Sequence, residues 1–427
     1  MSYQPKIALV HDYLNEYGGA ERVLEAFCEI FPKAPIYTAF VNKNSPAYKR
    51  FKGKKIITSW VQNIPFFTTR LYSPLRFLAP LIWGSFASQL ADFDVVLASS
   101  SWFVTKGFIK RVKESPLRRS FVGQAKSQRV NWSRPIEICY CHTPPRYLYG
   151  YKTSVDWQKY WPVRVYALVV NHFMRVYDFE SAQRVDHFIA NSHEVAARIK
   201  KFYRRESTVI YPPVDVRRFA RKTLKAKRLK QKKEAFSVER SALSKYFLVV
   251  SRLVASKNVD VVVEVCAKLD LPLKVVGTGR ELEVLKKLAE KLTVNRQPST
   301  IKFIGDVSDG ELVKLYQNCR AVIFAASQED FGLVPVEAMA AGKPVIVNAE
   351  GGVLESVIDA IPAGKGKGTG VYFDPPTTGS LTLAINNFAD LEKKHYFDSD
   401  FIHAHAQKFS KEHFKREILK FIKNKLK

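Results

Sequence analysis

Two glutamates, Glu329 and Glu337, bracket the segment Asp330-Phe331-Gly332-Leu333-Val334-Pro335-Val336. An ionised carboxylate accepts two hydroxyl hydrogens at once. Glu337 can therefore hold a ribose diol, and Glu329 the hydroxyls of a sugar. The segment follows an apolar run, Ala321–Ala325 (AVIFA), and leads into EAMAAG, a helical stretch that Gly342 should end. Pro335 suits a first helical turn. The amides of Phe331–Val334 then stand at a helix N-terminus beyond a strand's carboxyl end, where free N–H groups receive phosphate oxygens. Read alone, the pair is equally a surface glutamate and a residue that complements the helix dipole.

Other residues extend this chemistry. Arg252 and Lys257, in SRLVASKN just past the apolar run YFLVV, can neutralise a diphosphate, although solvent exposure explains them as well. Gly18 and Gly19 lie between a first strand and a helix, where glycine lets a ligand approach the backbone; a simple turn is the commoner explanation. Gly277-Thr278-Gly279 is half of a dinucleotide fingerprint, but Leu282 stands where the third glycine belongs, which disfavours NAD. His142 ends the apolar run IEICYC and can hydrogen-bond a sugar hydroxyl or stabilise charge; a structural histidine is the alternative.

Metal chemistry finds little support. Asp92-Phe93-Asp94 has the D-x-D form of metal-dependent transferases, but it opens a core strand. His403 and His405 have no acidic partner at ligand spacing. Cys139 and Cys141 fall on one strand face. The five cysteines (with Cys28, Cys266 and Cys319) are too few and odd in number for a disulfide framework, and they fit a reducing cytosol.

Short apolar runs place these groups. Lys6–Val10, Asp94–Ala98, Ile136–Cys141 and His187–Ala190 read as strands alternating with helical sequence. The pattern restarts with strands at Tyr246–Val250, Leu273–Val276, Ile301–Ile304, Ala321–Phe324, Pro344–Val347 and Gly370–Phe373. Helices are expected at Asp260–Lys268 and Arg280–Lys291. This spacing predicts an α/β protein with two doubly wound parallel sheets in series, and 427 residues suit two domains. The boundaries expected are 1–212 for the first domain and 213–403 for the second, entered through a basic linker, 217–245.

The chain carries 68 Lys and Arg against 40 Asp and Glu, a net +28. Such a surface attracts nucleic acid, anionic lipid or phosphorylated small molecules. A nucleic-acid-binding protein should carry one basic stripe with interleaved aromatics. Here the densest runs lie in the linker and in His413–Lys427, a basic amphipathic helix whose apolar face should hold Phe414, Ile418, Leu419 and Ile422. The linker reads as a solvated segment or as a patch for anionic membrane. Ile64–Ala87, rich in aromatics and broken by Pro65, Pro74 and Pro80, reads equally as an interfacial segment or as a hairpin packed on its domain. No run reaches the roughly 20 apolar residues that span a bilayer, and the N-terminus lacks a signal-peptide shape. The expected location is cytoplasmic, either free or peripheral on the cytosolic membrane face.

The ordered set HDYLNEYGGAERV, YCHTPPRYLY, IANSHEVAARI, YPPVD, VSRLVASKN, GTGRELE and EDFGLVPVEAMAAGKPVI with EGGVLESV resembles glycosyltransferase family 4 over nearly the whole chain. The most specific part is the E-x7-E motif at Glu329 and Glu337. HTPPRYLY resembles the mannosyltransferase-like branch of surface-polysaccharide enzymes. The resemblance implies the GT-B fold: two facing Rossmann-like domains, with the C-terminal helix (residues 404–427) crossing back to the first. It implies metal-independent, retaining transfer of a hexose, mannose from GDP-mannose foremost, to a glycan or lipid-linked glycan acceptor. By the same resemblance Gly18 and Gly19 approach the donor diphosphate, and Arg252 and Lys257 neutralise it. The amides of Phe331, Gly332 and Leu333 bind phosphate or sugar. Glu337 holds the ribose, Glu329 the transferred sugar, and His142 lies near the reacting carbon. A sugar-nucleotide epimerase of the same fold is the alternative enzyme. The second proline of HTPPRY and the length of the linker depart from the family pattern; both bear on the acceptor and on membrane contact.

Overall fold

The computed structural model describes residues 5–108, 134–151, 153, 160–219, 246–294, 300–360 and 367–426. The chain passes from one compact unit to a second between Ile210 and Tyr211. Most of the basic linker, residues 220–245, lies outside the described residues.

The first unit is built on seven parallel strands: β1 (Ile7–His11), β2 (Ile36–Thr38), β3 (Ile56–Thr58), β4 (Val95–Ser100), β5 (Ile136–Cys141), β6 (His187–Ala190) and β7 (Ser207–Val209). Their order is β3-β2-β1-β4-β5-β6-β7. The second unit has six: β8 (Phe247–Val250), β9 (Leu273–Val276), β10 (Ile301–Gly305), β11 (Val322–Phe324), β12 (Val345–Asn348) and β13 (Gly370–Phe373). They run in the order β10-β9-β8-β11-β12-β13, again all parallel. Both central strands read as unbroken apolar runs because helices cover both faces. In the second sheet Val249, Val275, Ile323 and Ile346 face one core. Leu248, Val276, Val322 and Val345 face the other.

Strand order reverses between β1 and β4 in the first sheet and between β8 and β11 in the second. In open α/β sheets the crevice beyond the carboxyl ends of such a pair is where ligands bind. This fixes where the site residues must be sought: after β1 and β4, and after β8 and β11.

Three strands have no counterpart in the sequence reading. β2, β3 and β7 are three residues each, and β3 and β7 are the partly exposed edges of their sheet. The C-terminal helix Lys411–Lys425 buries Phe414, Ile418, Phe421 and Ile422. Leu419, expected on that face, is 49% exposed, and Phe421 takes the inward place instead.

The first unit also buries charge. Lys106 and Asp178 form an ion pair whose side chains are 1% and 0% exposed. Glu137, on β5, is 1% exposed and accepts hydrogen bonds from the amides of Gly107 and Phe108. Burial pushes its carboxyl up from 4.5 to about 7, against the pull of those two donors. The native state therefore keeps a proton that the unfolded chain releases near pH 4.5. Raising the pH from there to about 7 should cost on the order of 3 kcal/mol of stability, with no further loss above. Denaturant unfolding of the wild type and Glu137→Gln at pH 5 and pH 8 checks this: the wild type should lose stability relative to the variant across that interval. An equal pH response in both would refute it.

Candidate functional site

The second unit supplies a cation and a carboxylate at its switch point. After β8 the chain turns through Ser251–Val254 into a short 3-10 turn, Ala255–Lys257. After β11 it runs through Ala325–Gln328 to Glu329. Asn258 ties the two loops, its Nδ2 donating to the Ala325 carbonyl and to Ser327 Oγ, both at 2.8 Å. Lys257 Nζ thereby lies 2.5 Å from Glu329 Oε2, with the two side chains 17% and 20% exposed. The cation expected at a diphosphate and the carboxylate expected at a sugar are thus paired with each other. Arg252 is exposed on the same loop.

Glycines hold these loops. Gly277 and Gly279 have φ of +122° and +158°. A Cβ on them would sit 2.0 Å from the Ser251 carbonyl oxygen and 2.2 Å from that of Leu253. The G-T-G element therefore serves backbone-to-backbone packing, which seats the Arg252 loop. Gly351 and Gly352 do the same for the acidic loop. A Cβ on either would meet the Glu329 or Asp330 carbonyl oxygen at 2.3 Å, and Gly352 N donates to the Glu329 carbonyl at 3.0 Å. This clamp is a role that the sequence motif EGGVLESV did not disclose.

The helix that follows runs Leu333–Ala340, with Gly332 as N-cap at φ +85°. Its N-terminus lies beyond β11, as the sequence required. Phe331 is 2% exposed and packs against Tyr211 and Phe409. Glu337 points inward at 2% exposure, and its Oε2 accepts from Tyr316 Oη at 2.8 Å.

In the first unit Gly18 caps the helix Gly19–Ile30 in an extended conformation, so φ does not demand glycine there. Gly18 N donates to Glu21 Oε2 at 2.8 Å. From Glu21 a buried chain leads across the switch point. Glu21 Oε1 is 3.4 Å from His11 Nε2, His11 Nδ1 is 3.1 Å from Ser99 Oγ, and Ser99 Oγ is 2.8 Å from His142 Nε2. The chain joins the ends of β1, β4 and β5 to the glycine loop. Burial and the neighbouring His11 hold His142 down at about 4, so it is neutral near pH 7. It offers a hydrogen bond rather than a charge. Nε2 is engaged by Ser99, which leaves Nδ1 as the ring nitrogen outside the chain.

His11, Glu21 and Ser99 were missed in the sequence, as was Asp12. Asp12 accepts from Ser101 N and Oγ at 3.1 and 2.9 Å, from Trp102 N at 2.6 Å and from the Thr105 hydroxyl. It thereby fixes the loop after β4. HDY stands in the sequence directly before the glycine loop, which is the one cue to them. Asp94, of the D-x-D triplet, accepts from Lys6 N at 2.6 Å. His403 and His405 bond the backbone carbonyls of Ala340 and Ser356. No group of three potential metal ligands occurs among the described residues.

Residues 230–400 match the family described as glycosyl transferases group 1. The chain is 34% identical over 112 residues to an uncharacterized glycosyltransferase of Methanocaldococcus jannaschii, covering 26% of this chain and 31% of that protein. It is 34% identical over 110 residues to the alpha-1,3/1,6-mannosyltransferase ALG2 of Dictyostelium discoideum, covering 26% and 24%. The chain thus spans about a third or less of these two relatives. Among solved structures, Anabaena HepE in complex with UDP and glucose superposes with a TM-score of 0.67 at 18% identity, covering 98% of this chain and 100% of that one. The fold is the GT-B fold, with two parallel-sheet α/β units.

Proposed function

We propose that the protein is a retaining glycosyltransferase that moves a hexose from a nucleoside diphosphate sugar to a glycan or lipid-linked glycan. The observation that carries this reading is the Lys257–Glu329 pair, held at a sheet's switch point beside the N-terminus of Leu333–Ala340. A diphosphate would draw Lys257 to itself, with Arg252 and the amides of Phe331, Gly332 and Leu333 as further donors. Glu329, released from Lys257, would take sugar hydroxyls, and Glu337 the ribose. From the first unit Gly18 and Gly19 would let the diphosphate approach the backbone, and neutral His142 would hydrogen-bond the sugar. The chemistry asked of these groups is stabilisation of the departing nucleoside diphosphate by fixed donors, without a metal. Such preorganised contacts strengthen as negative charge grows on the leaving oxygen.

Mannose from GDP-mannose is the donor we place first, supported by the partial likeness to a mannosyltransferase. UDP-glucose is the competitor, since HepE was crystallised with it. A thermal-shift screen of GDP-, UDP- and ADP-sugars tests the reading. The right donor at about a hundred times its Kd should raise the melting temperature by roughly 5 °C. No shift with any of them would count against a donor site.

A further inference from the structure

The helix Trp161–Arg184 is amphipathic in the reverse sense. Its buried positions are Ala167, Asn171, Met174, Asp178, Ser181 and Ala182, all but Met174 small or polar. Its outward stripe is Trp161, Val165, Leu168, Val169, Phe173 and Val176, each 50–71% exposed. At 3.6 residues per turn these two stripes lie on nearly opposite sides. A helix that faces water arranges them the other way round.

The segment 64–87 lies beside this helix. Tyr166 Oη donates to the Pro74 carbonyl, and Arg76 donates to Asn171 Oδ1 at 3.0 Å. The side chains of this segment divide between core and surface. Phe67, Ile82, Trp83 and Phe86 enter the core, while Phe66, Phe77 and Leu81 stay 69%, 42% and 62% exposed.

Charge decides what covers this surface. Neither Ile64–Ala87 nor Tyr160–Tyr177 contains a single Asp or Glu, the exposed Glu180 standing one turn beyond Val176, whereas Arg70 and Arg164 are exposed there. A second copy of the chain would bring these arginines near one another with no acid to answer them. Anionic headgroups answer them, and acyl chains receive the apolar side chains. No described helix is long and apolar enough to cross a membrane, so the helix would lie along the surface. We infer that the outward face of this helix from Trp161 to Val176, with Phe66, Phe77 and Leu81, docks the first unit onto an anionic phospholipid surface. None of its residues is among the proposed donor groups, and its test reads no sugar transfer.

The test is co-sedimentation of the full chain with vesicles of phosphatidylcholine, with and without phosphatidylglycerol. Binding should require phosphatidylglycerol. The double substitution Leu168→Ser/Phe173→Ser, at two exposed positions, should weaken it at least tenfold while leaving the unfolding midpoint in place. Arg70→Glu/Arg164→Glu should weaken it severalfold. Unchanged binding by Leu168→Ser/Phe173→Ser would overturn the proposal and place lipid contact elsewhere in the chain. So would absent vesicle binding together with a dimer in sedimentation that this variant converts to monomer, which would make the face a self-association surface.

Discussion

Glu329→Ala is expected to bind the matching nucleoside diphosphate sugar about tenfold more weakly, yet bind the bare nucleoside diphosphate at least as tightly as the intact protein. Both effects follow from one contact. Lys257 Nζ and Glu329 Oε2 are 2.5 Å apart in a partly buried setting. Removing the carboxylate deletes an internal competitor for the ammonium, which favours any diphosphate. It also deletes the acceptor proposed for sugar hydroxyls, and a hydrogen bond to a charged group contributes about 1.5–3 kcal/mol. Lys257→Ala should behave differently, weakening both ligands by between about tenfold and a hundredfold, since the lost cation serves the part they share. Calorimetry with the two ligands on the two variants decides the matter. If Glu329→Ala weakened the bare diphosphate as much as the sugar conjugate, Glu329 would not be the sugar's partner.

The largest effect on stability is expected at Lys106. Its ammonium and the Asp178 carboxylate are both sealed from solvent, Tyr149 Oη also donates to Asp178 at 2.7 Å, and the ammonium lies 4.7 Å from the centre of the Tyr203 ring. Burial pulls Lys106 down more than any single neighbour raises it, but attraction to Asp178 and Cys139 and the hydrogen bond to Asp178 together hold it above its ordinary value, so it stays charged. Lys106→Met would leave Asp178 buried with a neutral phenol donor and no counter-charge. Loss of one member of such a pair costs about 3–5 kcal/mol. Replacing both partners, as Lys106→Met/Asp178→Leu, should recover part of the loss, because the charges vanish together. Denaturant midpoints of the two variants give the comparison. A single variant as stable as the wild type would mean the pair is not buried in solution.

Much of this was legible in the sequence, and what was not has a common physical origin. The strands of the second unit announced themselves as apolar runs, unbroken where both faces are buried as in β11 and β12, and interrupted by Lys274 in β9 and by the exposed Lys302 in the edge strand β10. The runs IYT, IIT and STV of β2, β3 and β7 are too short to stand out, and two of them are sheet edges with little to bury. The carboxylates of the E-x7-E segment were found where a strand meets a helix, since that geometry is local. The pairing of Glu329 with Lys257 was not, since the two are 72 residues apart, and neither was Asp12, some 90 residues from the amides that donate to it. His11 and Ser99, which carry the chain to His142, are likewise 88 residues apart. Periodicity shows which side chains share a helix face, but not which way the face turns. Trp161–Arg184 shows this, since its apolar stripe faces outward.

That outward stripe has a consequence for the protein as a colloid. Apolar faces on neighbouring molecules attract at short range, while a net charge of +28 keeps those molecules apart at low ionic strength. Added salt shortens the reach of the repulsion to about 8 Å at physiological strength and about 3 Å at 1 M, and leaves the apolar attraction intact. The two forces therefore trade places as salt rises. Solutions of this protein should stay clear when dilute in electrolyte and turn cloudy when concentrated in it, the reverse of what a protein held in aggregates by opposite charges would do.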